Sequence, residues 1–168
     1  MCLDHSAHGL VPNHEMFRSP LNVAMTFTDV ATPKSYPKYF EGRGLGDSMP
    51  MWRVQTRGYT DERSVGIGTV SSPWGFEDSP DAERISGGIN SKSPDSVAIG
   101  RQGPFVLWGF AAGPQDMTAS GRTAFVNAVC YAKRFDGARV LAGEQARGRV
   151  AMFNSVWRVV HARDGYDS

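Results

Sequence analysis

The chain has 168 residues, with 18 basic and 17 acidic side chains and a formal net charge of +1. That length makes one domain, residues 1–168, able to bury a core without disulfide or metal staples, and 40% apolar with 21% charged residues excludes a disordered tail. Near-neutral charge gives no reason to expect nucleic acid or an acidic membrane as partner, and no apolar run approaches the roughly 20 residues of a bilayer span.

The 19 glycines and 10 prolines imply many turns and short elements, not a helical bundle. Two cysteines, Cys2 and Cys130, give no disulfide framework. Met1 to His5 carries neither a charged n-region nor an apolar h-region, so no signal peptide is read and the default compartment is cytoplasmic.

In chain order, residues 1–20 read as a polar, turn-rich segment holding three of the four histidines. Asn22 to Val30 alternates Val23, Met25, Phe27 and Asp29 against Ala24, Thr26 and Thr28, the period of a strand. An irregular stretch follows, Ala31 to Pro50. Trp52–Thr56 and Val65–Val70 are further strands. Pro73–Pro94 reads as loop and carries the acidic cluster Glu77, Asp78, Asp81 and Glu83.

The strongest pattern starts at Val97. Two apolar runs, Val97–Arg101 and Phe105–Phe110, are joined by Gln102-Gly103-Pro104, which predicts a hairpin buried on both faces. Thr118 is placed to cap a helix from Ala119, with Phe125, Val129 and Ala132 as its apolar stripe and Asp136-Gly137 as its stop. In the C-terminal extension, residues 136–168, Val150, Phe153, Val156, Trp157 and Val160 fit helical spacing, although the β-branched residues also suit a strand; helix is preferred. The architecture expected is α/β or α+β, a mixed β-sheet whose C-terminal hairpin is covered by an amphipathic helix.

Several constellations can carry chemistry. Asp4, His5, His8 and His14, with Glu15 nearby, make the metal candidate: His5 and His8 at i, i+3 converge on a helical turn, and zinc is the ion such a set takes. The competing reading has these histidines capping turns or facing water. The acidic cluster offers calcium ligands without the EF-hand spacing, and reads first as a solvated loop. Ser86 to Ser93 can form a backbone nest for an anion, with Lys92 adding charge, but lacks P-loop spacing. Trp74, between Pro73 and Gly75, is the loop tryptophan available for recognition. Together with Arg101, Trp74 and Lys92 are the candidate ligand-binding residues.

The run VAIGRQGPFVLWGFAAGPQDMTASGRTAFVNAVCYAKRFDG resembles the closing segment of trehalose-utilisation-type (ThuA-like) domains, a branch of the class I glutamine amidotransferase-like fold. Phe125 to Tyr131 occupies the place of that family's "LxNAIxW" helix, and HEMFRSPLNV (His14 to Val23) is similar to its "HP-hydrophobic-x-G" stretch. The resemblance implies a truncated amidotransferase-like domain whose opening parallel βα units lie ahead of residue 1. It does not carry the glutaminase chemistry across: Cys2 is followed by Leu3-Asp4-His5-Ser6, not a G-x-C-x-G elbow, and no His-x-Glu completes a triad.

The function this implies is a non-catalytic amidotransferase-like module that binds a small polar ligand, such as a carbohydrate, or docks on a partner chain. The alternative is a small metal-dependent hydrolase using the N-terminal histidines. A truncated sheet exposes an edge strand, which makes a homodimer a further expectation.

Overall fold

In the computed structural model, residues 2–73, 76, 79–141 and 149–164 are described, the last segment in part by backbone alone. The sheet is organised around β1, Cys2–His8, whose neighbours are drawn from both halves of the chain. On one side β1 pairs antiparallel with β3 (Ser48–Arg53) and β4 (Gly68–Thr69), and on the other with β5 (Ala82–Asn90). β2 (Phe27–Ala31) extends the sheet from β3, and β6 (Ile99–Gln102) and β7 (Phe105–Trp108) extend it from β5. The order is β2-β3-β1-β5-β6-β7, and every pairing among the described strands is antiparallel. With one long helix set against this sheet, the fold is α+β, and the sheet is antiparallel where a mixed one was expected.

Two expectations fail at the centre of this sheet. Residues 2–8, read as part of a polar turn-rich segment, are the middle strand, and Leu3, Asp4, Ser6, Ala7 and His8 are all buried. Residues 82–90, read as loop, are the longest strand, with Ile85, Ser86, Gly87 and Gly88 buried. Gly88 has a packing reason: a Cβ there would stand 2.5 Å from the Leu3 Cδ1 methyl, so β1 and β5 face each other across a position without a side chain.

The hairpin forms as its sequence predicts. Gly103 at φ +54° makes the turn, and Gln102 pairs with Phe105. It is not buried on both faces. β7 is the sheet edge, and Phe105 is 69% exposed.

Helix α1, Ala119–Lys133, begins where Gly121 N donates to the Thr118 hydroxyl at 3.0 Å. It lies over β7, with the Phe125 ring edge-on to Trp108 at 5.3 Å between centroids. Its buried stripe is Gly121, Ala124, Ala128 and Tyr131 with Asn127, while Val126 and Val129 face outward. The stripe expected from Phe125, Val129 and Ala132 is therefore rotated. Small residues let the helix approach the sheet closely, and the larger valines are turned away.

The core beneath is built from Leu3, Phe17, Trp52, Val54, Ile85, Ile99, Ala124 and Ala128. Phe17 and Trp52 meet edge-on at 5.8 Å, a favoured aromatic geometry. Helix α2, Arg149–Asp164, packs away from this core against the 3-10 turns Tyr36–Lys38 and Phe40–Gly42. There Phe153 stacks on Phe40 and Asn154 donates to Glu41 Oε1 at 2.7 Å.

Candidate functional site

Beyond the C-terminal end of β1 the chain turns at Gly9, and a cleft of about 380 Å³ opens there. Its walls come from five places in sequence: His8 and Gly9, Glu41 and Leu45 from the loop around the 3-10 turn, Met49 of β3, Arg84 of β5, and Pro94-Asp95 after β5. Two charge signs and an apolar wall therefore meet in one concavity, the composition of a small-molecule site.

Behind the cleft lies a buried polar network. His8 Nε2 and Tyr36 Oη are 2.6 Å apart, and the Tyr36 hydroxyl donates to Gly88 O at 3.1 Å. With that donation made, His8 Nε2 carries a proton and donates it to Tyr36 Oη. Asn90 closes the network: its amide donates to Gly88 O (2.8 Å) and Ser93 O (3.0 Å), and its Oδ1 accepts from the backbone N–H groups of Lys92 and Ser93. Burial, helped by the positive charge of Arg84 and opposed by a bond to Gly88 O, lowers the His8 pKa to about 4. Burial likewise pushes Tyr36 well above the ordinary phenol value. Both rings are neutral at pH 7, so the charged groups among the described lining residues are Glu41, Asp95 and Arg84.

Arg84 is oriented by backbone oxygens: Nη1 donates to Gly9 O at 3.1 Å and Nε to Asp95 O at 3.2 Å. Glu41 is asymmetric. Its Oε1 accepts from Asn154, whereas Oε2 is shielded from solvent and has no hydrogen-bond partner among the described residues.

A second cluster joins four elements around Glu83. Arg101 Nη2 donates to Glu83 Oε1 at 2.6 Å, and the Tyr131 hydroxyl (2.6 Å) and His14 Nε2 (3.2 Å) both donate to Oε2. Burial opposes the ionised carboxylate, but these three donors outweigh it and bring the Glu83 pKa down to about 2. Burial and the adjoining carboxylate push Tyr131 up to about 12. Arg101 further donates to Gly103 O and lies 4.0 Å over the Phe135 ring. Both Glu83 oxygens are answered, and only Arg101 Nε among the cluster's polar atoms is buried without a partner among the described residues, so its chemistry is that of a clasp between the N-terminal segment, β5, β6 and α1.

The residues proposed as metal ligands are not brought together, and among the described residues no group of three or more His, Cys, Asp or Glu side chains is arranged to hold a metal ion. The i, i+3 argument for His5 and His8 needs a helical turn, and both lie on a strand. Asp4 is buried, with Thr60 Oγ1 donating to its Oδ2. His5 Nδ1 is 2.6 Å from Ser6 Oγ, and burial lowers its pKa against the opposing charge of Asp4. His14 uses both ring nitrogens: Nδ1 accepts from Met16 N, capping the 3-10 turn Glu15–Phe17, while Nε2 donates to Glu83.

Among the proposed ligand-binding residues, Arg101 is committed to Glu83 and Phe135 rather than to a pocket. Lys92 is exposed in the turn after β5, and the segment read as an anion nest is largely strand. Trp74 lies outside the described residues, as do Glu77 and Asp78 of the acidic cluster. Cys2 and Cys130 are both free thiols. The residues that sequence reasoning missed, Glu41, Arg84 and Asp95 in the cleft and Tyr36 behind it, are single polar residues at unrelated spacings. They became a set only when β5 proved to be a strand beside β1.

Comparison of the chain with protein-family models, with curated proteins and with solved structures finds no match in any of the three. No helix among the described residues is long and apolar enough to cross a membrane.

Proposed function

We propose that this protein is a non-catalytic binding module, amidotransferase-like in its C-terminal unit, that holds a small polar molecule in the cleft lined by His8, Glu41 and Arg84. The observation that carries the reading is the convergence of both charge signs and an apolar wall in one concavity of about 380 Å³. Among the described lining residues there is no Cys, Ser, Thr or Lys, and Glu41, Asp95 and His8 are engaged by Asn154, Ser93 and Tyr36, which supports a binding role over a reaction. Supporting the kinship, the two segments that carry the family resemblance touch directly: Asn127 of α1 donates to the carbonyls of Met16 and Leu21.

The test is amide chemical-shift mapping with small polar probes, glucose and short-chain amines and acids among them, on the whole chain. Saturable shifts at Gly9, Leu45, Arg84 and Gly87, lost in a cleft-filling Met49→Trp variant, are the expected result. Shifts confined to other surfaces, or none at tens of millimolar probe, overturn it.

A partner chain is the second reading, favoured by the edge position of β7, where Phe105 is 69% exposed and the preceding Pro104 shares a surface hollow with outward-facing Val129. A second copy pairing there would bury Phe105 and Val129. Sedimentation equilibrium at micromolar concentration decides it: a dimer dissociated by Phe105→Lys supports this reading, and a monomer removes it.

A further inference from the structure

Helix α2 carries an apolar face that its own chain leaves uncovered. The contacts that hold the helix lie on one side. Phe153 stacks on Phe40, Asn154 accepts from Phe40 N and donates to Glu41, and Trp157 donates to Pro37 O with the Arg43 guanidinium over its ring. Turned away from that side, Met152, Val156 and Val159 follow one another at spacings of four and three, and Val160 lies one turn beyond Val156. Val159 is 64% exposed, and Met152 and Val156 are 56% each. An apolar stripe of this kind is what a helix normally turns towards a core, and its four-three spacing is that of a seam between two helices.

Area and charge select the occupant. These four side chains and Phe153 are each about half exposed. At that exposure they show roughly 100 Å² apiece, so pairing the stripe with a copy of itself withdraws on the order of 1,000 Å² in total. That reaches the threshold of a specific interface, and Phe40, 41% exposed beside Phe153, adds to it. Direction follows from the helix ends. The first residue of α2 is Arg149 and the last is Asp164, its one carboxylate. An antiparallel pair sets the arginine at each N-terminus beside the carboxylate and the negative dipole end of the other copy, whereas a parallel pair sets like against like. A lipid surface is the weaker fit, because the helix's one tryptophan, the ring that suits a membrane interface, is turned into the protein.

We infer that α2 is a dimer interface, on which a second copy of this chain packs antiparallel along Met152, Val156, Val159 and Val160, about a two-fold axis near Val156. A stripe that meets itself across such an axis is self-complementary, as a closed dimer requires. The surface is separate from the β7 edge, and the inference stands apart from the cleft reading.

The test is sedimentation equilibrium of the full chain from low to high micromolar concentration. A reversible monomer–dimer equilibrium is expected, unchanged in Phe105→Lys and weakened at least tenfold in Val156→Glu, which sets two carboxylates face to face across the axis. Val159→Glu is the second variant if Val156→Glu does not fold, and the same weakening is expected of it. A monomer throughout the range overturns the inference. So does a dimer that both glutamate variants leave intact, or one dissociated by Phe105→Lys alone, which assigns pairing to β7. Phosphatidylglycerol vesicles supply the last arm: a monomer that co-sediments with them, and no longer does so as Val156→Glu, gives the stripe to lipid and overturns the dimer.

Discussion

The side chain of Asn127 grips the peptide group of Leu21 at both ends: Leu21 N donates to Oδ1 at 3.1 Å, and Nδ2 donates back to Leu21 O at 2.6 Å. The same Nδ2 also donates to Met16 O at 2.8 Å. Asn127 is fully buried, on the helix face that packs over the sheet. One amide thus fixes the segment between the 3-10 turn at Glu15–Phe17 and the first strand that follows.

Removing that amide strands three backbone groups, of which the Met16 carbonyl is buried. Asn127→Ala is expected to lower the unfolding free energy by about 2–3 kcal/mol, the cost of unsatisfied buried polar groups. Asn127→Asp, which keeps the shape but loses both N–H donors, should cost at least as much. Urea denaturation with unchanged m-value checks both, and a loss below half a kilocalorie in each would show that the clamp carries no stability.

Gly121 offers a test in which helix propensity and packing predict opposite signs. In an exposed helix, Gly→Ala stabilises by up to about 1 kcal/mol. Here an added Cβ would lie 2.2 Å from the backbone oxygen of Val54, which also accepts from Thr118 N at 2.9 Å. The strand and helix would have to separate, so Gly121→Ala is expected to destabilise by about 2 kcal/mol or more, as overpacking does. A neutral or stabilised variant in thermal unfolding would mean that the close approach of α1 is not required.

The contrast with what the sequence made legible follows from the same residues. Hairpin and α1 were readable because their signals are local: a glycine turn at Gly103, a hydroxyl cap at Thr118. β1 was hidden because its polar residues find their partners at long range, His8 at Tyr36 and Asp4 Oδ2 at Thr60. β5 was hidden because its middle is Ser86-Gly87-Gly88, chosen for tight packing and not for strand propensity. With β5 unread, neither candidate cluster could be assembled. Glu83 faces Arg101 only through the β5–β6 register, and Arg84 reaches Gly9 only because β5 runs beside β1.

Glu83 and Arg101 make the next test. The Arg101 side chain is 8% exposed, so Glu83→Gln leaves a nearly buried guanidinium facing a neutral amide. A loss of about 2–4 kcal/mol is expected, as for breaking a buried pair from one side. Tyr131→Phe removes one of three donors and should cost about 1 kcal/mol. The pH dependence separates charge from shape. Glu83 titrates at about 2 in the fold against an ordinary 4.5, so its contribution is complete above pH 4.5 and is lost as pH falls through that window towards 2. Glu83→Gln should flatten the stability profile there. An unchanged slope between pH 4.5 and 2 would show that the carboxylate is not held ionised by its neighbours.

His8 governs a different window, with its own sign. Its folded pKa of about 4 lies below the ordinary 6.5, so between these values the unfolded chain binds a proton that the fold refuses. Stability attributable to His8 is therefore whole above pH 6.5, declines as pH falls, and is gone below about 4. The shift corresponds to at most about 3 kcal/mol for one such group. His5, also lowered by burial, adds in the same direction. Two measurements check this: the His8 ring resonances should titrate near pH 4 in the folded protein, and the unfolding free energy should fall between pH 7 and 5. Because Tyr36 Oη receives the Nε2 proton while donating to Gly88 O, Tyr36→Phe opens the network without removing the imidazole. In that variant the His8 titration should move upward as water reaches the ring. A His8 that titrates near 6.5 in the native protein would mean that the wall behind the cleft is wet.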